Sequence, residues 1–231
     1  MSASLRILIS AGPTRESIDP VRFISNYSTG YMGVQLAREA LRRGHAVEIV
    51  SGPVTEVFPS GARVVSVESS QEMERALRRR ALRADVLIMA AAVADFRPAR
   101  LAITKLPRRE TVTLRLQATP DIVGRLPRRT RQLIVGFALE TGRALMRAKH
   151  KLKAKRLDVL LAQRANGARG PFGRHPVYAW LLVRQRPGAG SHADPEIVVN
   201  RLGRVSKREI ARALLDKIER LWYGQHGVTA S

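Results

Sequence analysis

Two hydrophobic periods alternate along the first half of the chain. Leu5–Ser10, Ala46–Ser51, Ala62–Val67 and Asp85–Ala92 are short runs, β-branched or continuously apolar, the pattern of strands buried on both faces. Helix-period segments lie between them. Met32–Arg43 puts Leu36, Ala40 and Leu41 on one face and stops at Gly44, a C-terminal capping glycine. Ser69 and Ser70 cap a second helix, Glu72–Arg83, with Met73, Ala76, Leu77 and Ala81 at helical spacing. Buried strands alternating with helices predict an α/β fold: a Rossmann-like, mostly parallel sheet with helices on both faces.

The alternation then breaks. Residues 99–118 switch between apolar and polar positions around Pro107, which predicts a β-hairpin flap. A short helix from Pro120, a strand at Gln132–Ala138 and a basic helix from about Gly142 to Lys155 follow. Asp158–Ala162, Tyr178–Val183 and Glu196–Asn200 read as strands, and 184–195 as a polar linker. Ser206–Trp222 reads as a capped terminal helix with Ile210, Ala213, Leu214, Ile218 and Leu221 apolar. There is no internal repeat, and 231 residues suit a single domain, 1–231.

Composition narrows the chemistry. The chain has no cysteine, which excludes disulfides, thiolate nucleophiles and Cys-ligated metal sites. Its longest apolar run, Val86–Ala94, has nine residues, far short of the roughly 20 that span a bilayer. A cytoplasmic protein without membrane contact is the expectation. The net charge of +22 favours anionic partners, although scattered surface arginine accounts for part of it.

Four clusters are candidates for chemistry. The first runs from Gly12 through Asn26, Ser28, Thr29 and Gly30 to Gly33. A strand, a glycine turn and a Ser/Thr/Gly stretch opening a helix suit phosphate binding; the alternative is a capped loop with glycines for packing. It is neither a GxGxxG nor a P-loop motif. The second is Ala91, Ala92, Val93 and Asp95, at the carboxyl end of a buried strand, where open α/β sheets bind ligands. It forms either a ring pocket, with Asp95 on a metal or a hydroxyl, or a tightly packed strand end. The third is cationic: Lys105 near the flap tip, with Lys151 and Lys155 one helical turn apart. These lysines either neutralise a polyphosphate or form a solvated face. The fourth is Phe137, a base-stacking or core phenylalanine ending a strand.

Taken in order, GPTRESIDPVRFISNYSTGYMG, AAAVADFRP, TPDI, VGFALET and KxxxKxLD resemble the phosphopantothenate–cysteine ligases (phosphopantothenoylcysteine synthetases) of coenzyme A biosynthesis. The resemblance runs from Leu5 to about Asp158 and thinly onward. It implies a ligase joining 4′-phosphopantothenate to L-cysteine with CTP and Mg2+, through an acyl-cytidylate, and a homodimer. It also implies that Asn26 holds the activated acyl group, with Ser28, Thr29 and Gly30 near the substrate phosphate. Ala91, Ala92 and Val93 would line the cytosine pocket. Asp95, Lys105, Phe137, Lys151, Lys155 and the turn Pro120, Asp121, Ile122, Val123 would contact CTP, with magnesium bridged through its phosphates. In bacteria the family is often fused to a flavin-dependent decarboxylase. Met1 lies four residues before the first strand, so a separate decarboxylase and no flavin are expected here.

Several positions depart from the family pattern. Tyr27 and Tyr31 stand where the family usually has basic residues, and Gln163 where it tends to have Asn. The flap reads Thr104-Lys105-Leu106-Pro107-Arg108-Arg109 instead of KIKK, and Arg108 or Arg109 is the expected substitute for the lost cations. Asn26 is placed with the phosphate loop, apart from the Ala91–Asp95 pocket. Two rivals fit less well. An NAD(P)-dependent Rossmann reductase needs GxGxxG after the first strand and an acidic residue ending the second. A nucleic-acid-binding module needs aromatics among its basic residues, and aromatics are only 5% of the chain.

Overall fold

The computed structural model describes residues 4–140, 144–164, 172–185 and 196–226. In chain order they form β1 (Arg6–Ala11), β2 (Arg15–Ser17), β3 (Phe23–Ser25), α1 (Tyr31–Arg42), β4 (Ala46–Ser51), β5 (Arg63–Ser66), α2 (Ser70–Ala81) and β6 (Val86–Met89). There follow β7 (Phe96–Pro98), β8 (Leu116–Ala118), α3 (Ile122–Arg125), β9 (Leu133–Glu140), α4 (Ala144–Ala154), β10 (Val159–Arg164), β11 (Val177–Arg184), β12 (Ile197–Val205) and α5 (Lys207–His226).

Eight strands make one sheet in the order β12-β11-β10-β9-β6-β1-β4-β5. Every pair from β10 to β5 is parallel, and β11 and β12 add an antiparallel edge. Alternation along the strands builds two cores. Ile7, Ile9, Val135 and Leu161 pack with Leu36 and Ala40 of α1 and Ile210 and Leu214 of α5. Leu8, Leu87, Ala138 and Leu160 face Met73 and Leu77 of α2, Ile122 of α3 and Leu152 of α4. The parallel, two-faced sheet is the expected fold. No helix among the described residues is long and apolar enough to cross a membrane.

Chain order places the site. From β1 the chain moves outward to β4 and β5, then returns to β6 on the other side of β1. The carboxyl ends of β1 and β6 therefore flank the switch point, where crossover loops diverge and leave a crevice.

Three local predictions need correction. Only the base of the 99–118 hairpin is paired: β7 meets β8, with one more bond from Ala99 N to Arg115 O, and 100–115 contains no strand. Pro107 and the Arg108-Arg109 pair disfavour a continued ladder. The strand expected to reach Ala92 stops at Met89, because Ala91 and Ala92 turn their amides to Ser10 Oγ and the Gly12 carbonyl. The strand expected to end at Asn200 continues to Val205 and pairs along β11. The short β2–β3 hairpin was not foreseen. The expected start of α4 at Gly142 and most of the 184–195 linker lie outside the described residues.

Candidate active site at the switch point

One cavity of about 730 Å³ opens over the carboxyl edge of the sheet, within the usual range for small-ligand sites. Asn26, Ser28, Thr29 and Gly30 line it from the loop before α1. Ala91, Ala92, Val93 and Asp95 line it from the end of β6. Pro120, Asp121, Ile122 and Val123 enter from the turn into α3, Phe137 and Lys151 from β9 and α4, and Lys155 from the turn that follows α4. Residues from each of the four sequence clusters thus line one cavity, together with the turn into α3.

Three expected site residues lie elsewhere. Gly12 has φ +73, and a Cβ there would stand 2.6 Å from Val54 Cγ1; Gly30, at φ +81, meets the same methyl at 2.5 Å. A Cβ on Gly33 would stand 2.5 Å from Ala11 Cβ, at the α1–β1 contact. Gly12 and Gly33 thus shape the loop by close packing without forming cavity wall. Lys105 is exposed on the flap and is also absent from the wall.

The flap is anchored beside Lys105. Buried Asp19 accepts from Arg22 Nε at 2.9 Å and Leu106 N at 3.1 Å. Arg22 Nη2 donates to the Leu106 carbonyl at 2.9 Å, and Ala102 N to Ile18 O at 3.0 Å. Hydrogen bonding from Arg22 outweighs burial and holds the Asp19 carboxyl well below the usual range.

The end of β6 is fixed backbone atom by backbone atom. Ala94 N donates to Thr14 Oγ1 at 3.0 Å, and Thr119 Oγ1 to the Ala94 carbonyl at 2.6 Å. Asn26 Nδ2 donates to the carbonyls of Ala92 and Val93 at 3.0 and 3.1 Å. Asn26 therefore belongs to both the phosphate-loop segment and the Ala91–Asp95 pocket, correcting the expected separation.

The α4 cations are held in place. Lys155 Nζ binds Asp121 Oδ1 at 3.0 Å, and Lys151 Nζ binds the Phe137 carbonyl at 2.9 Å. Burial, then the neighbouring Lys155, lowers the Lys151 pKa. Burial alone would raise the Asp121 pKa, but the Lys155 contact and the backbone amides of α3 bring it below the ordinary value. The described residues contain no cluster of three or more His, Asp or Glu able to cage a metal. Magnesium commonly binds through one or two carboxylates plus phosphate oxygens, and exposed Asp95 on the cavity wall fits that mode.

The structure adds residues that sequence reasoning passed over. The Arg174 guanidinium carbon lies 5.2 Å from the centroid of the Tyr31 ring, and its Nη2 lies 3.3 Å from Glu56 Oε2. A cation thus stands beside position 31, supplied by a distant segment. Phe172, Gly173, Gln163 and Lys207 also line the cavity. Lys207 had one signal in sequence: a lysine in the first helical turn, beside the Ser206 cap, opposes the helix dipole.

Comparison with known proteins shows the family. The DNA/pantothenate metabolism flavoprotein C-terminal domain family matches residues 2–221. A coenzyme A biosynthesis bifunctional protein CoaBC from Vibrio vulnificus is 45% identical over 161 residues, covering 68% of this chain and 40% of that protein. The namesake from Mycobacterium bovis is 38% identical over 217 residues, covering 87% and 51%. The chain thus spans about half the length of these curated relatives. The crystal structure of the C-terminal domain of a CoaBC protein superposes with a TM-score of 0.72 at 33% identity, covering 94% of this chain and 95% of that one. With the family model matched over nearly the whole of the chain, this chain belongs to the DNA/pantothenate metabolism flavoprotein C-terminal domain family.

Proposed function

We propose that the protein is a phosphopantothenate–cysteine ligase that uses CTP, in coenzyme A biosynthesis. The observation that carries the reading is the Asn26 bridge: it joins the loop before α1 to the Ala91–Asp95 strand end inside one cavity. Ligation of this kind needs a carboxylate and a nucleotide α-phosphate side by side, then an amine at the same acyl carbon.

In the first step the carboxylate oxygen of 4′-phosphopantothenate attacks the α-phosphorus of CTP, and pyrophosphate leaves. In the second, the cysteine amine attacks the acyl carbon, loses a proton, and displaces CMP. Anions meet in the first step, so cations must screen them. Lys151 and Lys155 stand on the wall for that task, beside the α3 turn and Phe137. Asp95 would hold magnesium through the nucleotide phosphates; the ion supplies charge neutralisation. Asn26 serves the second step. Its Nδ2 hydrogens are committed to Ala92 and Val93, which turns Oδ1 to the task of accepting from the incoming amine.

The site is completed by a second copy of the chain. Lys105 is off its own cavity wall, and the flap exposes Leu101 and Ile103, the latter 90% accessible. Val21, Phe23 and Tyr27 are exposed as well, on the segment around the Asp19–Arg22 anchor. Such a patch on a flap is an interface candidate, and pairing across it brings the partner's flap lysine toward the cavity. The curated relatives are bifunctional proteins, and a separate decarboxylase acting on the ligation product is the partner that this reading implies.

Mass-spectrometric detection of phosphopantothenoylcysteine, from purified protein with phosphopantothenate, L-cysteine, CTP and Mg2+, tests the reading. Product that needs all of them supports it; no product with an active control ligase alongside rejects it.

A further inference from the structure

Beyond its paired base the flap has no strand of its own, so its course is held from outside. Among the described residues, every hydrogen bond of residues 100–114 runs to one short segment, residues 18–22, in the turn between β2 and β3. Ala102 N donates to the Ile18 carbonyl at 3.0 Å. The other contacts converge on Leu106, the neighbour of Lys105.

The two carboxylate oxygens of Asp19 divide the work. Oδ1 accepts from the amides of Val21 and Arg22, both at 2.9 Å, and closes the turn on itself. Oδ2 accepts from Leu106 N at 3.1 Å, from Arg22 Nε at 2.9 Å and from Arg22 Nη2. Nη2 also donates to the Leu106 carbonyl at 2.9 Å. Leu106 is therefore gripped at both its N–H and its C=O. The N–H belongs to the rigid peptide plane shared with Lys105, so the grip fixes the stem from which that lysine reaches.

The turn itself does not call for this arrangement. One side-chain oxygen closes a turn of this kind, and Oδ1 supplies it. Asp19 is only 2% exposed, and burying a carboxylate is costly unless it is paired and hydrogen-bonded. Oδ2 directs that pairing to a flap residue 87 positions away. A functional side chain on a loop needs such support, since its own segment does not hold it.

We propose that Asp19 is a positioning residue: acting with Arg22 on Leu106, it sets the place of the flap lysine Lys105 for activation of the carboxylate. The proposal rests on the ligase reading and deepens it, by adding the device that carries Lys105.

Asp19→Asn tests it selectively, because the side-chain oxygen it keeps still closes the turn while the acceptor for Leu106 and the charge facing Arg22 are lost. Hydrogen–deuterium exchange of the full chain, followed by mass spectrometry, should show peptides covering 100–110 exchanging at least tenfold faster, with those of the β2–β3 hairpin unchanged. Pyrophosphate release from CTP and phosphopantothenate should lose tenfold or more in kcat, with the Kd for CTP within twofold. Because Asp19 acts through Lys105, adding Asp19→Asn to Lys105→Gln should cost nothing further. Arg22→Lys, at a half-exposed side chain, carries the same measurements should Asp19→Asn fail to fold; its lysine reaches one of the two partners and should give smaller changes in the same direction. Flap exchange within twofold of the unmodified protein overturns the proposal. So does an undiminished kcat, or a loss that multiplies with that of Lys105→Gln. An unmodified protein that releases no pyrophosphate refutes the ligase reading and the activation role with it, and the grip on the flap is then judged on exchange alone.

Discussion

The side-chain amide of Asn26 donates to the carbonyl oxygens of Ala92 and Val93, residues 66 and 67 positions further along the chain. The contact splits the labour of one small side chain. Nδ2 braces the strand end, and the proposed ligation assigns the chemistry to Oδ1. Two buried turns reinforce the same strand end. Pro13 bridges to Ala92, and Gly52 lies so close beneath that a Cβ there would stand 1.7 Å from the Pro13 carbonyl.

From this division follows a separation of the two half-reactions. Asn26→Asp loses the amide donor and places carboxylate oxygens against two carbonyls, so acyl-cytidylate forms more slowly, accumulates, and fails to pass on to the amide. Lys105→Gln loses a mobile cation and fails at activation, by roughly a hundredfold for one charge-stabilising contact. Quenched single-turnover reactions, analysed for intermediate and product, distinguish the two. Normal product formation by Asn26→Asp contradicts the assignment.

Arg174 over Tyr31 is expected to replace the cation that the family usually carries at position 31. Arg174→Ala should raise the KM for phosphopantothenate about two- to fivefold, since one exposed charge contact to a phosphate is worth roughly 0.5–1 kcal/mol. Adding Tyr31→Lys to that variant should recover most of the loss. Steady-state kinetics on the double mutant decide it, and no recovery shows that Arg174 acts elsewhere.

If the proposed pairing through the flap holds, activity depends on two chains. Light scattering should give a dimer, and Ile103→Arg should shift it toward monomer with loss of activation. Mixing Lys105→Gln with Asn26→Asp subunits should restore partial ligation, because one hybrid site receives both intact residues. A concentration-independent monomer with full activity excludes the arrangement.

Burial of Lys207 has a stability signature. Its pKa of about 8 in the folded protein lies below the ordinary lysine value of 10.5, so between those limits the unfolded chain binds more protons. Stability from this residue therefore rises as pH increases from about 8 to 10.5, and its penalty is full below 8. Lys207→Met should be the more stable protein at pH 7, on the order of a few kcal/mol, with the gap closing by pH 10.5. Urea titrations of both proteins at the two pH values measure it. A gap unchanged with pH contradicts a desolvated ammonium.

The parallel sheet was legible because continuous apolar runs such as Val86–Met89 and one-faced helices such as α1 leave few alternatives. The site clusters were legible through local wording, and the sheet's switch point brings them together. What escaped was non-local. Nothing around Ala92 shows that its carbonyl meets Asn26, nothing near Tyr31 announces Arg174, and Gln163 meets Lys207 across 44 positions. The flap was overread for the opposite reason: alternation at 99–118 has the strand period, but exposed Ile103 and Val112 show that it lacks a face to pack against.

The central claim, nucleotide-driven activation of a carboxylate at the switch point, is tested most directly by pyrophosphate release. Purified protein, phosphopantothenate and Mg2+ are combined with CTP or ATP, without cysteine and then with it. The account predicts release that requires phosphopantothenate, proceeds with a higher kcat/KM for CTP than for ATP, and continues to amide only when cysteine is present. Release independent of phosphopantothenate, or turnover with ATP equal to that with CTP, would contradict it.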